Sequence, residues 1–187
     1  MDIVSFKPIN VFSKACTVKI DESIPDADDI DYTPTVIPEL SKKIIKVLES
    51  WGVTVQFKPM DRPGVLGYFR QSYNNGKGLI CCSDYTEPTI CHETMHYLHS
   101  LEEDLNSVST EKAELVAELG SAVLLHLEGI TGYEKQAYEY LKTYVGDDAT
   151  DKQLIQKLTD VLQIVERCIL RLLKAIEDLD KKFAGEK

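Results

Sequence analysis

The residues best suited to chemistry in this chain are His92, Glu93 and His96, in the run His92-Glu93-Thr94-Met95-His96. On a helix, residues four apart lie about 40° apart around the axis and roughly 6 Å apart along it. Two imidazoles so placed can converge on one metal ion, and zinc is the ion this pattern suits. Glu93 projects beside them, near enough to act on a water held by the metal rather than on the metal itself. Zinc lowers the pKa of such a water toward neutrality, and a carboxylate can then take its proton as it attacks a carbonyl. The competing interpretation is two surface histidines on an ordinary amphipathic helix. The apolar residues around them, with Cys91, Thr94, Met95, Leu98 and Leu101 forming a stripe away from the histidines, argue against it.

A catalytic zinc needs a third protein ligand and an open position. Glu114 and Glu118 follow His96 by 18 and 22 residues and share one face of a second helical segment. That segment carries Leu115, Val116, Ala117, Leu119, Ala122 and Val123, too apolar for a surface helix. Glu114 is the expected ligand and Glu118 the acceptor from the free ring nitrogen of His92 or His96, with the reversed assignment as the alternative. Gly120 costs about 1 kcal/mol relative to alanine inside a helix, which points to a close approach between helices. His99 is expected to be an accessory polar residue able to line the cleft. His126 is expected to satisfy a hydrogen bond in the core.

The elements that must position these groups are legible from periodicity. Ile37, Leu40, Ile44, Val47, Leu48 and Trp51 recur at helical spacing, with Pro38 near the start and Gly52 past the end. Strands are expected over 53–58, 65–72 and 78–83, the last two joined through the hairpin signal Asn75-Gly76. Thr86-Glu87-Pro88 opens the helix that carries the histidines, expected to end near Glu103. Further helices are expected over 111–128 (with Gly129 just beyond), 133–144 and 151–183. Leu154, Leu158, Val161, Val165, Cys168, Leu172 and Leu179 give the last one an apolar stripe, read as core cover rather than a dimer seam. Segregated strands and helices predict an α+β fold: a helix and a small three-stranded sheet, then a helical subdomain.

Composition narrows the class. The net charge of −10 argues against nucleic acid as a partner, which would require a basic face. Residues 21–31 hold six carboxylates and no base, so residues 1–36 are read as an acidic arm and 37–187 as the folded domain. No apolar run reaches the roughly 18 residues a membrane span requires, and no secretory pattern opens the chain, so a cytoplasmic location is expected by default. The five cysteines show no disulfide framework. Cys81 and Cys82 read as core thiols in a reducing compartment.

The run Glu111-Lys-Ala-Glu-Leu-Val-Ala-Glu-Leu-Gly-Ser-Ala, at this distance after His-Glu-x-x-His, resembles the zincin-like metallopeptidase domain of ArdC-type antirestriction proteins and phage polyvalent proteins. The helix–strand–hairpin layout before it is similar to the ImmA/IrrE group of cytoplasmic metallopeptidases. The resemblance spans roughly residues 37–145. It implies a gluzincin-like site with His92, His96 and Glu114 on Zn2+ and Glu93 as base. It also implies a mobile-element origin and a peptidase acting on a specific intracellular protein. The single-strand DNA-binding domain of ArdC-type proteins is missing from this chain, and His99 stands three residues after the motif where these families often place a histidine at four. Tyr138, on a stretch loosely similar to the family's later aromatic helix, is the expected oxyanion stabiliser. The alternative function is a zincin-fold binding or antirestriction module that sequesters a partner without turnover. The expected substrate strand lies along the edge formed by Val65–Ser72.

Overall fold

The computed structural model describes residues 36–62, 64–71, 78–84, 86–146 and 148–184. The acidic arm apart from Val36, and the Asn75-Gly76 turn, lie outside the described residues. Among the described residues, five helices and one three-stranded mixed sheet make an α+β fold, in the order α1 (Glu39–Ser50), β1 (Thr54–Phe57), β2 (Gly67–Gln71), β3 (Gly78–Cys82), α2 (Glu87–Glu102), α3 (Thr110–Leu127), α4 (Glu134–Val145) and α5 (Asp151–Ala184). Among the described residues no helix is long and apolar enough to cross a membrane.

Two glycines end helices for the same reason. Gly52 (φ 81°) and Gly129 (φ 74°) adopt the left-handed conformation that closes α1 and α3. Each chain reversal then satisfies two orphaned carbonyls. Gly52 and Val53 donate to Glu49 and Leu48, and Gly129 and Ile130 donate to His126 and Leu125. At the other ends, the Ser109 side chain caps α3 by accepting from the Lys112 backbone N–H at 3.2 Å. Asp84 braces the entry to α2 by accepting from the backbone and hydroxyl of Thr86.

The sheet order is β1-β3-β2. β2 and β3 are antiparallel, as the hairpin signal requires, whereas β1 pairs with β3 in parallel. The central strand β3 is therefore paired along both edges, and the adjacent thiols of Cys81 and Cys82, which alternate across the strand, are both fully buried and free. β2 lies at the margin of the sheet with α2 packed along it. The core joins Ile44, Val47 and Leu48 of α1, Met95 and Leu98 of α2, Leu115 and Leu124 of α3, and Val165 and Leu172 of α5. The apolar stripe of α5 is thus spent inside the chain, with Leu158 and Leu179 at its rim. Gly120 makes the expected close approach: a Cβ there would meet Met95 Sδ at 2.8 Å.

Three expectations need correction. Leu101, assigned to the buried stripe of α2, is 45% exposed in the last turn of the helix, where the neighbouring Glu102 turns to Arg167 and Arg171 of α5 instead. His126 is exposed near the end of α3 rather than buried in the core. His99 is fully buried and does not line the cleft; its Nε2 faces Glu103 at 3.1 Å, and Glu103 also holds Lys112 at 2.7 Å.

His99 has a consequence for stability. Its Nδ1 is buried with no hydrogen-bond partner, so a second proton there would be stranded, and burial lowers its pKa despite the nearby Glu103. The unfolded chain then binds more protons than the folded one just below the ordinary histidine value. Stability is full above about pH 6.5 and declines as the pH falls, by at most about 1.4 kcal/mol per pH unit. Urea midpoints measured from pH 7.5 to 5 should fall less steeply in His99→Gln than in the wild type. Parallel curves would show that His99 carries none of the effect.

Candidate metal centre

The centre is assembled from two helices that touch closely. α2 presents His92 and His96 one turn apart, their rings 4.9 Å between centroids and steeply inclined. α3 crosses beside it, and the contact at Gly120 lets its carboxylates reach across. Glu114 Oε2 lies 3.3 Å from His92 Nε2, and Glu114 Oε1 lies 3.6 Å from His96 Nε2. One donor atom from each of His92, His96 and Glu114 can be chosen so that all lie within 4.8 Å of one another, a group that could hold a metal ion.

Glu118, one turn further along α3, sits on the other side of the His92 ring. Its Oε2 is 2.9 Å from His92 Nδ1. With one proton held on Nδ1 by that carboxylate, Nε2, on the side facing Glu114, is the His92 atom that could ligate a metal. The donor set of two imidazole nitrogens and one carboxylate suits a divalent transition metal. Electrostatics favours a cation here as well. Burial opposes charge on His92, yet Glu114 and Glu118 outweigh it and lift the imidazole to about 10. Burial and the charge on His92 together push His96 down to about 4. Glu114 stays below the ordinary carboxylate value because its contacts with His92 and His96 overcome the cost of burial.

Glu93 is 6% exposed and lies under β2. Burial raises its carboxyl to about 7, against the pull of His92 and of the Phe69 backbone N–H. Gly67 makes room for it: a Cβ at that position would stand 2.9 Å from both Cγ and Oε1 of Glu93. The strand edge and the carboxylate therefore meet through a residue with no side chain.

No family model, curated protein or solved structure matches this chain significantly. The geometry of the site adds residues that the motif does not name. A cleft of about 910 Å³ has α2 as its floor, Gly64–Phe69 as one wall and the Tyr133, Gln136, Tyr140 and Tyr144 face of α4 as the other. The Tyr140 hydroxyl donates to Glu114 Oε2 at 3.2 Å and its ring packs edge-on to His92 at 5.8 Å. Tyr138, the expected oxyanion stabiliser, instead points outward and bonds Asp151 at 2.8 Å. Helical phase explains the correction. Ala137 and Leu141 are the buried positions of α4; Tyr140 lies on the flank of that line shared with Gln136 and Tyr144, which faces the cleft, and Tyr138 lies on the opposite flank, toward Asp151. That stripe, Tyr133-Ala137-Tyr140/Leu141-Tyr144, was present in the sequence as a signal.

Proposed function

We propose that the chain is a zinc-dependent peptidase of gluzincin type, with His92, His96 and Glu114 as metal ligands and Glu93 as general base. The observation that carries this reading is the meeting of Glu114 with both histidines while a separate buried carboxylate, Glu93, lies beside them under β2, an outer strand of the sheet among the described residues. The resemblance of the Glu111–Ala122 run to zincin-like domains of mobile elements points the same way. Zinc in this position would supply Lewis acidity, polarising a carbonyl and making a water acidic enough to lose its proton to a carboxylate.

The protein residues divide the remaining work. A substrate strand pairs along the margin of β2 that carries no partner strand among the described residues, which fixes its backbone by main-chain hydrogen bonds and brings a carbonyl over α2. Glu93 takes the proton from the attacking water and returns it to the leaving amine; a carboxyl raised toward neutrality by burial suits both halves of that transfer. Tyr140, at the rim of the ligand group, turns the hydroxyl proton it gives to Glu114 Oε2 in the free protein toward the carbonyl oxygen as negative charge builds on it. Glu118 keeps His92 in the ligating tautomer.

Elemental analysis should find one zinc per chain. A chelator should remove the metal together with cleavage of an unfolded protein substrate, and added zinc should restore both. A protein that holds zinc stoichiometrically and cleaves nothing would overturn the peptidase assignment in favour of a sequestering module.

Gly67→Ala tests the contact between strand and base. The added methyl meets Glu93 on one side and the Cys81 carbonyl at 3.2 Å on the other, so the carboxylate has to move. A misplacement of about 1 Å can cost roughly 100-fold in rate. Turnover should fall by about that factor with zinc content unchanged. An unaltered rate would show that Glu93 tolerates displacement.

A further inference from the structure

Resting on the peptidase reading, the walls of the cleft carry information about what it accepts. The strand wall does not stop at the reacting centre. Gly67 sits over Glu93, while Val65 and Leu66 on one side and Tyr68 and Phe69 on the other line the same cleft. A chain laid along this margin continues past Glu93 in both directions. The opposite wall is an aromatic face, with the Tyr140 and Tyr144 rings tilted at 60° to each other, 5.2 Å between centroids, and their hydroxyls 3.2 Å apart. Large apolar groups are left open to solvent here, Val65 at 39%, Leu66 at 52% and Tyr140 at 37% exposed. Exposed apolar surface around a polar centre is the signature of a surface meant to be covered.

Charge is equally one-sided. Asp84, Glu93, Glu114 and Glu118 line the cleft, and no lysine or arginine does so among the described residues. A C-terminal carboxylate finds no cationic partner there. For an N-terminal amine the unpartnered oxygen of Glu118 is sealed from solvent and Thr86 takes Oδ1 of Asp84. Among the described residues that leaves Asp84 Oδ2 as the one group that terminal recognition could use, and makes release of terminal residues the decisive contrary outcome. A divalent ion offsets only part of this negative field, so acidic side chains of a substrate are repelled.

We infer that the cleft takes an internal stretch of extended polypeptide, cleaves between residues of which at least one flanking side chain is large and apolar, and rejects aspartate and glutamate at those positions. The experiment presents two peptide sets to the zinc-loaded full-length protein: one with free termini, one N-acetylated and C-amidated. Products are read by mass spectrometry, and the Glu93→Gln protein is used in parallel to capture peptides without turnover. Blocked and free peptides should be cut equally, at bonds flanked by Leu, Phe, Met or Tyr. An Asp or Glu beside the bond should lower kcat/KM by at least about tenfold. Tyr144→Arg should recover most of that loss for the acidic peptides. Release of single terminal residues from the free set alone, or enrichment of acidic flanks, would overturn the inference. Capture of blocked apolar peptides without cleavage by the wild type would instead reject the peptidase reading and leave the recognition inference standing.

Discussion

Glu93→Gln is expected to slow peptide hydrolysis by roughly 10²- to 10⁴-fold, the range that loss of a positioned general base produces. The substitution is nearly isosteric, so β2 and Gly67 keep their places over it. An amide cannot accept the proton of water or return it to the leaving amine, and that is the only function removed. The metal should stay, because Glu93 is not part of the ligand group formed by His92, His96 and Glu114. Stability should hold or rise: a carboxylate whose pKa is raised to about 7 by burial opposes the fold when ionised, and a neutral amide does not. The decisive measurement pairs kcat at saturating peptide with zinc stoichiometry and thermal midpoint on one preparation. A Gln variant that turns over at the wild-type rate would remove Glu93 from the mechanism.

The second large effect separates the two carboxylates of α3. Glu114→Gln should abolish stoichiometric zinc binding, whereas Glu118→Gln should weaken it by about 10- to 100-fold, the usual cost of losing a carboxylate that orients a ligating histidine. The distances motivate the asymmetry. Glu114 faces the Nε2 atoms of both histidines, while Glu118 touches only Nδ1 of His92, on the far side of the ring. Competition against a chelator of known affinity reads both variants directly. The opposite ranking would exchange the roles of Glu114 and Glu118.

Helical phase explains why so much of the site was legible before any coordinates. His92 and His96 share a face because they are four apart, and so do Glu114 and Glu118; neither statement depends on the rest of the fold. The five helices and three strands likewise followed from local periodicity and from glycines at 52 and 129 that the chain reversals require. Errors arose where a residue's environment is set by a neighbour distant in sequence. His99 looks like a cleft residue by its spacing from His92, yet it is buried beside Glu103 and Lys112. Tyr138 and Tyr140 flank the buried Ala137–Leu141 line on opposite sides, and only the elements packed around α4 decide that Tyr140 meets Glu114 and His92 while Tyr138 meets Asp151.

The amino-acid sequence alone determined the pair of imidazoles, the adjacent carboxylate and the elements that carry them, since each is a matter of period and turn chemistry within a single segment. Tertiary structure decided the rest. Packing of α3 on α2 at Gly120 brings Glu114 to both histidines and Glu118 to only one. The parallel pairing of β1 with β3 leaves β2 at the margin, where Gly67 lies over Glu93. The cleft's aromatic wall exists only because α4 folds back across the same floor. These are contacts between segments far apart in the chain, and no local pattern specifies which of several compatible partners each segment will meet.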